Sequence, residues 1–334
     1  MIEGEVKIIN IKRGLFFLVF IAVFLSQTQS SMACTIFSAT LEDGTVLACN
    51  NEDWMYSIGN TVIISASDVG SYGRICFYNS SYVQGGMNEY GLFYDGASCP
   101  GTEVPYDKEK MDLGYDLGET ALAQCKTVEE VEDFFGDYNI PNGFYDHLLF
   151  ADASGNVAVF EWVEDEFHVI WKDAEKNYQV ITNFWLSDPT LGGYPCSRYD
   201  TVEDVLSTEE ITFELCEDVL HNTKQDWGDG GTLYSDICNL NEREVYLFYR
   251  GEAKQTYEIN LIDELKTMEP GTYEIMQMEE ICCGNVSEEK EVLSTDLEMK
   301  DNKKITYEVT IIFVLIVIVV ALIYKKIRKG KTHL

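Results

Sequence analysis

Positive charge is what this chain most conspicuously lacks. Its 334 residues carry 24 lysines and arginines against 57 aspartates and glutamates, a net charge of −33. Nucleic-acid binding needs clustered basic side chains that displace counterions from phosphates, so that class of function is excluded. Metal-ligand patterns are also missing. The four histidines, His147, His168, His221 and His333, lie far apart, and the ten cysteines show no zinc spacing, so neither a metal nor a cofactor is expected. No internal repeat is present. Long apolar runs are confined to the two ends.

The first run, Leu15 to Leu25, follows a basic start (Lys7, Lys12, Arg13) and leads through SQTQSSMA to the small-residue site Ser31-Met32-Ala33. It is too short to span a bilayer comfortably and reads as a signal peptide over residues 1–33, cut before Cys34. The second run, Val309 to Tyr324, is unbroken and ends in KKIRKGK. This predicts a transmembrane helix over 305–324 and a basic cytoplasmic tail over 325–334. Together they predict a single-span cell-membrane protein whose body, extracellular or lumenal, occupies 34–266. The acidic segment 267–304, low in aromatics, reads as a stalk. Between the two ends stand 55 acidic against 16 basic residues, and 46% of the whole chain is hydrophobic, enough for one large core.

Cleavage before Cys34 would give that residue its own base. An α-amino group has an unperturbed pKa of about 8 and a thiol of about 8.5, so a proton can pass between them at neutral pH. Such a residue is an N-terminal nucleophile. Ten cysteines in an exported chain suggest disulfides, but a free Cys34 leaves nine, an odd number, and linkage to another chain through Cys282 or Cys283 stays open.

Strand-like runs at Cys34 to Leu41 and Thr45 to Asn51 flank Glu42-Asp43-Gly44, a hairpin signal. Further strands are expected at 61–65, 91–94, 147–151, 157–162, 167–171, 179–182, 232–239 and 244–249. Helical patterns cover 113–124, 128–138, 200–206 and 213–223. This alternation predicts stacked sheets covered by helices.

Six segments, in order, carry a resemblance: Cys34-Thr35; Asn51-Glu52-Asp53-Trp54; GGMNEYGL (85–92); VITNF (180–184); Pro195-Cys196-Ser197-Arg198-Tyr199; and TLYSDICNLNEREVYLFY (232–249). The chain resembles choloylglycine hydrolase and penicillin V acylase-type linear amide hydrolases, of the N-terminal nucleophile superfamily. The short gap between Asn183 and Arg198 is more like the acyltransferase and acid ceramidase-like branch. The resemblance implies an α+β fold, a four-layer αββα sandwich. It also implies a cysteine amidase that cleaves a small-molecule N-acyl amide through a thioester.

Residue by residue, the resemblance makes Cys34 the nucleophile and Asp53 the carboxylate that holds its α-amine. Asn183 becomes the oxyanion-hole amide and Arg198 a charge that lowers the thiol pKa and fixes the carboxylate. Two positions depart from the pattern. Asn50 stands where the family commonly has arginine, and Ser98 stands near an oxyanion asparagine; both are tentative substrate-binding or oxyanion positions. Asn88, in GMNEYG, reads as a turn residue. Aromatics near the motifs (Trp54, Tyr56, Tyr90, Phe93, Tyr94, Phe184, Trp185) suggest a hydrophobic acyl half.

Three other readings stay open. They are a dipeptidase of the same superfamily, an acyltransferase, and a non-catalytic surface-binding domain whose Cys34 is lipidated or disulfide-bonded. Homo-oligomer formation is likewise left open.

Overall fold

A computed structural model of the chain describes residues 34–250, 256–283 and 291–294. Within these, two antiparallel sheets stack face to face. The smaller sheet runs in the order β12 (Tyr178–Ile181), β1 (Thr35–Thr40), β2 (Val46–Met55), β13 (Gly230–Asn239), β14 (Glu244–Tyr249), β15 (Thr256–Asn260). The nine-stranded sheet runs β11 (Glu166–Trp171), β10 (Val157–Val163), β9 (Asp146–Ala151), β6 (Phe93–Ser98), β5 (Tyr82–Asn88), β4 (Arg74–Asn79), β3 (Asn60–Ser65), β16 (Thr272–Gln277), β17 (Glu291–Ser294). A two-residue parallel pair, β7 (Met111–Asp112) and β8 (Tyr138–Asn139), stands apart.

Three cores account for four layers. Between the sheets, Ile36, Val46 and Ala48 of the smaller sheet meet Val62, Ile64, Ile75 and Phe93 of the larger. On the far side of the larger sheet, Tyr94, Phe150 and Phe160 pack against α1 (Leu117–Gln124) and α2 (Val128–Gly136) through Leu117, Ala121, Val131 and Phe135. On the far side of the smaller sheet, Phe37, Leu47 and Ile237 pack against α3 (Ser197–Thr208) and α4 (Phe213–Thr223) through Val202, Leu206, Val219 and Leu220. The alternation of strand side chains produces this: Ile36 and Phe37 are neighbours in sequence but face opposite layers. Each buried Phe or Leu stabilises the fold by about 1.5–3 kcal/mol. The result is the αββα sandwich that the motifs implied.

The hairpin that places Cys34 closes at Gly44, whose φ of +89° favours a residue without a Cβ. Leu41 donates to the Thr45 carbonyl at 2.8 Å and Asp43 Oδ1 accepts from Thr45 N at 2.9 Å. The turn sets the register, with Thr35 opposite Asn51 and Thr40 opposite Val46.

Several expectations need correction. The acidic stalk does not begin at 267: β16 pairs with β3, and the helix α5 (Met278–Cys283) that follows buries Met278 in the intersheet core. Acidic composition concealed a strand of the larger sheet, between β3 and β17, whose residues are mostly half-buried. Strands β4 and β5 were not among the expected strands; β5 and β6 lie side by side across the Asn88–Leu92 turn. The single-span membrane placement is also corrected. Among the described residues no helix is long and apolar enough to cross a membrane, α3 at 12 residues being far short of the ~20 needed. Residues 1–33 and 305–334, on which that placement rested, lie outside the described residues. Among the described residues Cys34, Cys49, Cys76, Cys99, Cys125, Cys196, Cys216 and Cys238 carry free thiols.

Candidate active site

Cys34 is flanked on both sides by motif residues. The β1–β2 register continued one step from Thr35–Asn51 sets Cys34 against Glu52, and the β1–β12 register continued from Ile36–Ile181 sets it against Asn183. Its thiol opens onto a cavity of about 500 Å³ walled by Trp54, Ile58, Tyr94, Leu117, Phe144 and Leu148. The cavity extends under α1, where Gly118 is indispensable: a Cβ there would lie 1.9 Å from the Tyr94 ring. Of the aromatics expected to form an acyl pocket, Trp54 and Tyr94 line the cavity. Phe184 and Trp185 are instead buried in the body, 2% and 1% exposed.

Arg198 enters from the first turn of α3 and ties three of the expected residues together. Its Nη1 donates to the Cys34 carbonyl oxygen and to Thr35 Oγ1 (2.9 Å), and its Nη2 donates to Asn183 Oδ1 (3.0 Å). A guanidinium can only donate, so the amide oxygen of Asn183 must face it and the amide nitrogen must face away. That nitrogen donates one hydrogen to the Ser98 carbonyl at 2.9 Å, leaving its second hydrogen for the site.

Asp53 lies on the opposite face of β2 from Glu52, beside the bulge where β13 shifts register between Thr232 and Tyr234. It is fully buried. Oδ1 accepts from Thr232 Oγ1 at 2.5 Å, and among the described residues Oδ2 has no hydrogen-bond partner. Burial pushes its pKa up to about 7, against the Thr232 hydroxyl and the charge of Arg198. Glu52 is pushed further, to about 8, by burial and then by the charge of Asp53. The Cys34 thiol is raised well above its ordinary value by burial and by both carboxyls, with the Asp53 backbone N–H opposing. The charge of Arg198 thus bears on Asp53, and the thiol is held protonated while a peptide bond precedes it.

Two tentative positions fall away. The Ser98 hydroxyl donates to Asp146 Oδ1 at 2.5 Å, and a hydroxyl has one hydrogen to give, so it is no oxyanion donor; its carbonyl serves Asn183 instead. Asn50 is 0% exposed and lies between the sheets opposite Asp236, away from the cavity. Asn88 is structural as expected. Its Nδ2 donates to the Leu122 and Cys125 carbonyls at the end of α1, both at 2.8 Å, and its Oδ1 accepts from the Tyr90 and Leu92 N–H groups.

A positioning pair went unread in the sequence. His147 and Glu161, side chains fully buried, meet at 2.8 Å through Nδ1 and Oε1. His147 Nε2 donates to the Thr182 carbonyl at 2.6 Å, while Glu161 accepts from the N–H groups of Leu186 (2.7 Å) and Ser187 (2.9 Å). The pair therefore clamps both sides of Asn183. Although burial opposes it, Cys99 and Glu161 raise His147 to about 10, so the imidazole is charged. A histidine fourteen residues from a glutamate carries no local signal; only the β9–β10 pairing brings them together.

These shifts predict that stability falls as pH rises. Glu52 and Asp236 are held near 8 from ordinary values of 4.5 and 3.8, so the folded chain binds more protons than the unfolded one between about pH 4 and 8. That stabilisation is complete below the unfolded values and is lost as pH rises through the folded ones. His147, raised from 6.5, adds the same sign up to about pH 10. Glu161, lowered from 4.5, opposes it only on the acid side. Thermal melts should show Tm highest near pH 5 and lower at pH 9 by on the order of 10 °C. A flat or rising profile would contradict the burial of these acids.

No family model matches the sequence, and a search of curated proteins finds no match. Solved structures do match. Penicillin V acylase from Agrobacterium tumefaciens superimposes with a TM-score of 0.60 at 17% identity, over 73% of this chain and 91% of that one. A variant of conjugated bile acid hydrolase from Clostridium perfringens gives 0.58 at 18% identity, over 80% of this chain and 100% of the other. A second variant of that hydrolase gives 0.57 at 18%, over 73% and 96%. The chain therefore has the fold of penicillin V acylase and conjugated bile acid hydrolase.

Proposed function

We propose that this chain is a cysteine amidase that hydrolyses a linear, non-peptide amide through a thioester, after a cut between Ala33 and Cys34. The observation that carries the reading is the buried Asp53 oxygen without a partner among the described residues, next to a cysteine that opens onto a cavity. An α-ammonium on Cys34 would supply the charge that Asp53 lacks, and would lower both the carboxyl and the thiol. In the proposed reaction the α-amine takes the thiol proton, Sγ attacks the amide carbonyl, and the C–N bond breaks as the amine returns that proton to the leaving group. Water then cleaves the thioester, releasing the acid and restoring the thiol. The free hydrogen of Asn183 Nδ2 would steady the oxyanion, and Arg198 would keep Asn183 and the Cys34 carbonyl in place. The solved structures of the same fold support the reading, since their names denote an amide-cleaving acylase and a conjugate hydrolase.

The test is N-terminal sequencing of the purified protein together with turnover of a mixed panel of acylated amines and amino acids. Cys34 is expected at the start of the active species. Asp53→Asn is expected to lower turnover on the order of 100-fold, as loss of amine positioning does. An active species that starts elsewhere, or an Asp53→Asn variant at the parental rate, refutes the assignment.

A further inference from the structure

Glu52 is the acidic group nearest the thiol within the cavity, and the amidase reading gives it no role. Its Oε2 lies 3.5 Å from Cys34 Sγ. Its Oε1 accepts from Asn79 Nδ2 at 2.6 Å, and Asn79 Oδ1 in turn accepts from Asn60 Nδ2 at 2.6 Å. Three strands, β2, β3 and β4, thus fix the carboxyl so that it cannot swing out of the cavity. A carbonyl carbon in position for attack lies about 3–3.5 Å from the sulfur. The substituent next to that carbon on the cavity side therefore comes to rest against Glu52.

The rest of the wall has the same sign. Asp116 and Asp146 also line the cavity, and among the described residues no Lys, Arg or His lines it. An anionic substrate would find no cation among the described lining, whereas an ammonium would find a carboxyl that is 1% exposed and already oriented, and its charge would draw that carboxyl down from about 8 so that it ionises on binding. Trp54, Tyr94 and Phe144 offer ring faces and apolar area to the remainder of such a molecule. A purely structural residue at this position could be glutamine, which would accept from Asn79 equally well and avoid burying an acid.

We propose that the substrate is an amide whose acyl half carries an α-ammonium beside an apolar body, with Glu52 as the partner of that ammonium. The proposal rests on Cys34 being the attacking group. It is tested by binding, so that its failure is separate from a failure of the amidase reading, which turnover of the amide panel decides.

The full-length chain carrying Cys34→Ala is titrated calorimetrically at pH 7 with phenylalaninamide and with N-acetylphenylalaninamide. The free ammonium is expected to bind at least tenfold tighter, and Glu52→Gln in the same background is expected to bring the two within about twofold. Equal affinities, binding of neither compound, or a preference that survives Glu52→Gln overturns the proposal. Should Glu52→Gln not fold, Asn79→Ala, which releases the carboxyl from its clamp, is expected to lower the preference at least threefold. An unchanged preference overturns it.

Discussion

Replacing Cys34 with serine is expected to lower amide turnover by about 10⁴-fold or more while leaving the fold unchanged. The substitution exchanges one sulfur for one oxygen at a site 6% exposed, with no side-chain volume added, so the neighbouring Glu52 and Arg198 contacts have no reason to move. The chemistry responds differently. An α-amine of pKa about 8 is matched to a thiol of about 8.5, but it is far too weak a base for a serine hydroxyl unless the site is built for one. The surroundings of Cys34 are three acidic neighbours and a single guanidinium directed at the backbone carbonyl, which do nothing to stabilise an alkoxide. Turnover of the amide panel and a thermal melt on the same preparation check this. Parental turnover by the serine variant would remove Cys34 from the reaction, and a large drop in Tm would mean that the thiol is structural.

His147→Ala is expected to cost about 3–5 kcal/mol of stability, the usual loss when one member of a buried ion pair is removed. The variant leaves Glu161 fully buried with only the Leu186 and Ser187 N–H groups, and frees the Thr182 carbonyl from its donor. Because these contacts bracket Asn183, turnover should fall as well, even though His147 does not line the cavity. His147 therefore acts as a positioning residue. Equilibrium denaturation gives the stability change. Glu161→Gln separates charge from shape: it keeps acceptor geometry toward one N–H and should fall between the parent and His147→Ala. A cost below about 1 kcal/mol for His147→Ala would show that the strand pairing alone holds the Asn183 segment.

Much of the site was legible because its residues sit at fixed offsets on short local elements. The Glu42-Asp43-Gly44 turn, read directly from residue type, determines which residues of β2 return beside Cys34, and Asp53 and Glu52 both follow from it. Asn183 and Arg198 were readable through their motif context. Ser98 and Asn50 were misplaced for a common reason: a motif offset locates a residue along a strand but does not say which face it presents or whether its hydrogen is already committed. In β2, Asn50 shares the intersheet face with Glu52 but lies two residues deeper, opposite Asp236, and so misses the cavity. The supposed stalk failed differently. A partly polar strand such as Thr272–Gln277 has no alternation strong enough to identify it, and only pairing with β3 makes it part of the body.

Local sequence alone settled the four long helices and most of the strands, the hairpin before Asn51, the candidate nucleophile and the acidic character that excludes nucleic acid. These depend on backbone propensity, turn chemistry and summed charge, all of which act over a few residues or over none in particular. The tertiary structure decided the partners. It put Arg198 on Asn183, His147 on Glu161, and Glu52 against the thiol. Each of these contacts joins residues 14 to 18 positions apart on separate elements, and whether they meet depends on how the strands register and how the helices pack over them.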